Sequence, residues 1–255
     1  MIFRNEYPVC EFDTNRDAKI KAADFLDKIL PDRCVITFFR EALNKFVEEK
    51  NLQIIGYLNS EVLDIPIYEY MLDEEKICIT MPFSTAPGAA GTIEELHAMG
   101  CNRFIICGGA GCIKENINLG EIIIPISAVR DEGTSYHYIR PSREVECHKN
   151  AVEIVKSGLE QMGIRYIVGK TWTTDAFYRE TPDIIQLRKE EGCITVEMEA
   201  AAFFAVSQYY NLPLAQLLYA GDDVSGEEWN SRGWNKQKTV RENLIITAIE
   251  LVTKL

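Results

Sequence analysis

The run Cys193-Ile194-Thr195-Val196-Glu197-Met198-Glu199-Ala200-Ala201-Ala202 constrains this chain more than any other stretch. A β-branched apolar segment leads into two carboxylates, and an apolar segment with Phe203, Phe204 and Val206 follows. The pattern predicts a short buried strand, a junction, and a helix starting at the second acid. A buried unpaired carboxylate is expensive, so acids at such a junction need partners. A ligand bearing hydroxyl groups is one.

The same alternation of strand and helix patterns recurs along the chain. Strands are expected at Cys34–Phe39, Gln53–Tyr57, Ile65–Tyr70, Lys76–Met81, Arg103–Cys107, Glu121–Val129, Ile164–Thr171 and Leu214–Tyr219. Helices are expected at Asp17–Leu30, Glu41–Lys50, Pro87–Met99, Cys147–Met162, Pro182–Glu191, Glu199–Tyr210 and Lys236–Leu255. Such alternation implies an α/β fold with a mixed central sheet flanked by helices. At 255 residues one core is ordinary, so the expectation is a single globular unit over 34–255 preceded by an arm and helix over 1–33. The polar stretch Asp222–Gln237 reads as a loop. Trp229 and Trp234 stand out in it, because large rings in a loop pack on a neighbour or close over a ligand.

The formal net charge of −12 argues against non-specific binding to nucleic acid or an anionic membrane. It also disfavours a phosphate ion unless local cations or amides compensate. Eight cysteines lie mostly in apolar segments, where the thiol acts as a small hydrophobe. No C-x-x-C pair occurs and histidine is scarce, so no metal site is expected. With neither a signal peptide nor an apolar run of membrane-spanning length, the expected location is the cytoplasm.

Gly108-Gly109-Ala110-Gly111 follows a predicted strand. It matches neither the dinucleotide fingerprint nor a P-loop. It is either a tight, closely packed turn or a place where a ligand approaches backbone amides.

Three segments in order carry a family resemblance: Cys107–Ile113 with its continuation Ile117–Ile122, Thr173–Tyr178, and Val196–Ala200. Together they resemble the nucleoside phosphorylase superfamily, which includes uridine phosphorylases, hexameric purine nucleoside phosphorylases and methylthioadenosine nucleosidases. The resemblance implies cleavage of a ribonucleoside N-glycosidic bond without a cofactor, with phosphate as a possible co-substrate. Glu199 would hold the ribose 2′- and 3′-hydroxyls, since a carboxylate accepts two hydrogen bonds. Met198 would pack on the sugar, Glu197 would stand beside it, and Gly108 and Gly109 would line the sugar and nucleophile site. Phe177 would stack on the base while the Tyr178 backbone bonds its edge. Asp223, with Asp222 beside it, would protonate a purine, which improves the leaving group. That requires a raised pKa. Structural alternatives stay open: Glu199 as a first-turn helix acid, Asp223 as a loop acid, Phe177 as a core aromatic.

The chain also departs from the phosphate-using members it resembles. Around Ile36–Ala42 there is no Gly-Asp-Pro-x-Arg loop, Ile106 stands at an arginine position, and Gly109 replaces a hydroxyl residue. Arg40, or an arginine from a second subunit, could compensate. Water as acceptor, or a catalytically weak nucleoside-binding protein, are the alternatives. Thr181 and Asp183 occupy the positions that read uracil in uridine phosphorylases, which tilts the expectation toward purines, with Arg179 as a possible substitute contact. His137 is a further candidate at the site's edge. The resemblance implies a homo-oligomer, dimer or hexamer.

Overall fold

The computed structural model describes residues 1–26 and 30–255. In chain order, the elements are β1 (Ile2–Phe3), β2 (Phe12–Asp13), β3 (Arg33–Thr37), α1 (Arg40–Lys50), β4 (Gln53–Leu58), β5 (Ile65–Leu72), β6 (Glu75–Thr80), α2 (Thr85–Ala98) and β7 (Arg103–Cys112). They continue with β8 (Ile122–Asp131), β9 (Glu144–Glu146), α3 (Lys149–Gln161), β10 (Tyr166–Thr174), α4 (Pro182–Glu190), β11 (Cys193–Glu197), α5 (Ala200–Tyr210), β12 (Leu214–Asp223) and α6 (Lys238–Val252). The result is a mixed sheet in the order β11-β10-β8-β12-β7-β3-β6-β5-β4, as the alternation predicts.

One end of that sheet closes on itself. β11 runs parallel to β10 and also pairs antiparallel with the end of β7, through Thr195 with Cys112 and Val196 with Gly111. The strands β7, β12, β8, β10 and β11 therefore form a ring, and the antiparallel sheet β6-β5-β4 extends from β3. Closure needs small residues where strands converge. A Cβ on Gly111 would stand 3.1 Å from Val196 Cγ1. The glycine run is consequently extended strand within β7, not the turn expected from its composition.

Helices cover both faces. α6 packs on β7 and β3 and against α1, while α2 packs on α5. α5 is apolar all round, with Ala200–Ser207 buried throughout, which marks it as a core helix. Ile36, Phe104, Ile106, Phe203, Phe204 and Leu244 fill the interior.

The N-terminal segment differs from its sequence pattern. Of the helix expected at Asp17–Leu30, the described part holds only a 3-10 turn at Ala22–Asp24, and residues 27–29 lie outside the described residues. Ile20 and Phe25, two of its apolar positions, are 75% and 72% exposed. Leu26 and Leu30 reach the core, but with Ile20 and Phe25 in solvent, helical spacing alone does not hold a short helix.

Candidate active site

The closure of β11 onto β7 puts Glu197 at the mouth of the ring and makes α5 start beside it. Glu197 is 8% exposed, and every oxygen of its carboxyl is engaged. Oε2 accepts the N–H groups of Glu199 (2.8 Å) and Ala200 (2.6 Å). Oε1 accepts the Thr173 hydroxyl at 2.6 Å, and Thr173 Oγ1 in turn accepts the Ala201 N–H at 2.9 Å. These are the N–H groups that the first turn of a helix leaves without partners. Glu197 thus caps α5 from two residues outside it. Burial, then the charge of Glu199, push its pKa up to about 8.

Glu199, two residues on, lines the same cavity as Glu197. Its Oε1 accepts the Thr85 N–H at 2.8 Å. Thr85 holds φ +70° at the start of α2, a conformation a β-branched residue adopts only under constraint. Burial raises the Glu199 pKa, opposed by the amides of Thr85 and Met198.

The cavity measures about 540 Å³. Gly108, Gly109 and Gly111 of β7 form its floor, with Glu197 and Glu199 on one side. Arg40, Tyr219, Asp222, Trp234 and Arg241 line the rest. Arg40 sits at the first turn of α1. Arg241, on α6, is fixed by the buried Tyr219: the phenol oxygen accepts its Nε at 3.2 Å and its Nη2 at 2.9 Å. The Tyr219 hydroxyl donates onward to the Trp234 carbonyl at 3.0 Å. The guanidinium also lies 5.4 Å from the Trp234 ring centre and 5.5 Å from that of Phe39, a cage that favours a cation.

Gly109 is what lets Tyr219 stand there, since a Cβ would come within 3.0 Å of the ring. Ile106 is fully buried beside Ile36 and Gln216, so no cation enters from that position. Gln216 is 1% exposed and lines the cavity. Its Oε1 has no partner among the described residues. Buried amides are normally bonded, so this one faces a place for water or ligand.

Of the residues the sequence singled out, Gly108, Gly109, Glu197, Glu199, Asp222 and Arg40 line one cavity. Met198 is half-buried at the junction and outside that lining. Phe177 and Tyr178 are 49% and 89% exposed and pack on each other, ring centres 4.0 Å apart, away from the cavity wall. Arg179 shares their 3-10 turn. His137 lines a separate hollow with Val9, Pro87 and Asp175.

Asp223 has a different setting from the one a proton donor needs. Its Oδ1 accepts the Ser225 N–H at 2.8 Å, and Arg232 stands 3.8 Å from Oδ2. Although burial acts to raise it, the Ser225 bonds and the Arg232 charge hold its pKa below the usual carboxylate range. Asp222, by contrast, faces the cavity and accepts the Trp229 indole N–H at 2.6 Å.

Arg241, Tyr219 and Gln216 escaped the sequence reading because no short motif joins them: they come from β12 and α6. Trp234 and Trp229 did leave a signal, as rings in a polar loop. One meets the cavity and the other holds an acid on its rim.

Known proteins resemble this chain in sequence and in fold. A uridine phosphorylase of Thermococcus kodakarensis is 31% identical over 149 residues, covering 53% of this chain and 54% of that protein. A guanosine phosphorylase of Halorubrum lacusprofundi is 28% identical over 122 residues, covering 48% of this chain and 51% of that one. The chain spans about half the length of these curated relatives in the matched region. The crystal structure of uridine phosphorylase from Vibrio fischeri ES114 superposes with a TM-score of 0.74 at 25% identity, covering 89% of this chain and 93% of that one. A profile of the phosphorylase superfamily matches residues 32–254. With the profile covering most of the sequence and the sheet and cavity in place, the chain belongs to the phosphorylase superfamily.

Proposed function

We propose that this chain is a cytoplasmic, homo-oligomeric nucleoside phosphorylase that transfers the ribosyl group of a purine ribonucleoside to phosphate. The observation that carries the reading is Arg241, locked by Tyr219 on the wall of the cavity that Glu199 lines. This guanidinium is held by a phenol and aromatic faces, and among the described residues it makes no ion pair with a carboxylate, which leaves it available to an anion. Arg40, which lines the same cavity, and the buried Gln216 amide add to that pole. The two arginines stand in for the cations missing at Ile106 and in the segment Ile36–Ala42, and the amide for the hydroxyl that Gly109 lacks.

The chemistry follows from the two poles. The Glu199 carboxylate accepts the ribose hydroxyls and gains attraction as positive charge develops on the sugar in the transition state. Glu197 keeps the start of α5, and hence Glu199, in place. The acceptor anion is held by Arg241 and Arg40 while its oxygen bonds to C1′. No resident cofactor enters this scheme. The Asp222 carboxylate on the cavity lining and the Thr181 and Asp183 replacements support a purine over uracil. Exposed apolar groups on the N-terminal arm, Ile2 and Tyr7 among them, support association of copies. Buried thiols such as Cys34, Cys107 and Cys147 support a reducing compartment.

The test is a panel of purine and pyrimidine nucleosides incubated with and without phosphate, with base and sugar products followed by chromatography. Base and ribose 1-phosphate should form only with phosphate. Arg241→Ala should raise the KM for phosphate by about 10-fold or more, the worth of a charge-assisted hydrogen bond. Equal base release without phosphate would make the enzyme a hydrolase. Saturable binding with no turnover would make it a nucleoside-binding protein.

A further inference from the structure

Gln216 is a polar residue set among apolar ones. On β12 it stands in parallel register with Ile106 of β7, which in turn pairs with Ile36 of β3. Leu218, next along the strand on the same face, lies opposite Gly108, which has no side chain to close over the amide. Gln216 is 1% exposed and lines the active-site cavity, and its Oε1 has no partner among the described residues. The fold thus leaves this amide to whatever fills the cavity.

The strands also tell which pole of the cavity it belongs to. Tyr219, which holds Arg241, lies further along β12 itself. β3, in the same row, leads into α1 at Arg40. β11, the strand that carries Glu197, does not pair with β12 and meets β7 only at Gly111 and Cys112, beyond Ile106. Gln216 therefore stands with the arginines rather than with the acids that hold the sugar.

We propose that Gln216 selects the acceptor by its proton, so that the site takes hydrogen phosphate and rejects sulfate. The inference rests on phosphate being the acceptor, as proposed above. A carboxamide has a donor end and an acceptor end, whichever way round it lies. Hydrogen phosphate meets both, with P–O⁻ oxygens for the amide N–H and a P–O–H for the amide oxygen. Sulfate is close to it in size and shape but carries acceptors alone. Against sulfate the amide oxygen stays buried and unpaired, and leaving such a group unmade is costly. A guanidinium cannot make this distinction, because it only donates. Arg40 and Arg241 attract either dianion, and the amide decides between them.

The experiment titrates wild-type protein and Gln216→Met with inorganic phosphate and with sulfate by calorimetry, in mildly alkaline buffer where both are dianions. Wild-type protein should bind phosphate about 10-fold or more tighter than sulfate. Methionine keeps nearly the shape of glutamine and removes both polar ends. Gln216→Met should lose phosphate affinity by about that factor and hold sulfate within about twofold, since the unpaired oxygen goes together with the donor. Equal losses for the two anions would make the amide an ordinary donor and overturn the proposal. Reduced nucleoside affinity with both anions unaffected would make it a reader of the sugar and overturn it as well. If the variant melts early, the wild-type ratio decides alone, and sulfate bound within about threefold of phosphate overturns the proposal. Binding of neither anion overturns it together with phosphate as acceptor. Selective phosphate binding without release of base, by contrast, sinks the proposed reaction alone and bears out the role of Gln216.

Discussion

At residue 109 a single hydrogen stands where a side chain would crowd Tyr219, and the acceptor pole depends on it. A Cβ there would meet the phenol ring at 3.0–3.4 Å, and the same phenol oxygen holds Arg241. Gly109→Ser, which restores a hydroxyl to this position, should therefore weaken rather than improve phosphate use. Overpacking of this kind costs about 1–3 kcal/mol, and the expected reading is a higher KM for phosphate with the nucleoside KM little changed. Steady-state kinetics with each substrate varied in turn would settle it. The sequence shows the glycine and the missing hydroxyl, but not the tyrosine 110 positions further on that uses the space. The same limit applied to Asp223. Two adjacent aspartates look alike in a string of letters, yet one turns to Ser225 and Arg232 and the other to the cavity.

The junction between β11 and α5 was the most legible element, because its signal is local. An apolar strand, two acids and an alanine-rich helix could be read in place, and β11 and α5 begin and end within a residue or two of expectation. The role of Glu197 was less legible, since Thr173 lies on another strand. Its raised pKa makes a prediction about stability. A carboxyl whose folded value, about 8, exceeds its ordinary 4.5 favours the folded state fully below pH 4.5 and loses that contribution as pH rises toward 8. Thermal melts across this range should show stability draining away with rising pH, with a shallower slope in Glu197→Gln. An unchanged slope would place the titration elsewhere. The glycine run was misread as a turn for a related reason: small residues permit a turn, but they equally permit strands to meet closely, and only the partner strands decide.

Across the whole molecule, the ring of five strands ties the sugar side to residues far from it. A Cβ on Gly169 would fall 2.2 Å from Ile194 Cδ1, between β10 and β11. Gly169→Val should wedge these strands apart, loosen the contact of Val196 with Gly111, and lower Tm by about 5 °C for a cost of about 2 kcal/mol. Nucleoside affinity should fall with it, whereas the thermal shift given by added phosphate should persist, because Tyr219 and Arg241 stand on β12 and α6, and β12 pairs with β7 and β8 rather than with β10 or β11. Loss of both together would mean that the two poles are one unit. Their separation has a consequence for descent. Sugar reading rides on the β11–α5 junction and acceptor choice on β12 and α6, so a lineage is free to exchange the second set of side chains while inheriting the first intact. Sorting such sequences by the acid junction alone would group enzymes by what they hold and leave unseen what they hand it to.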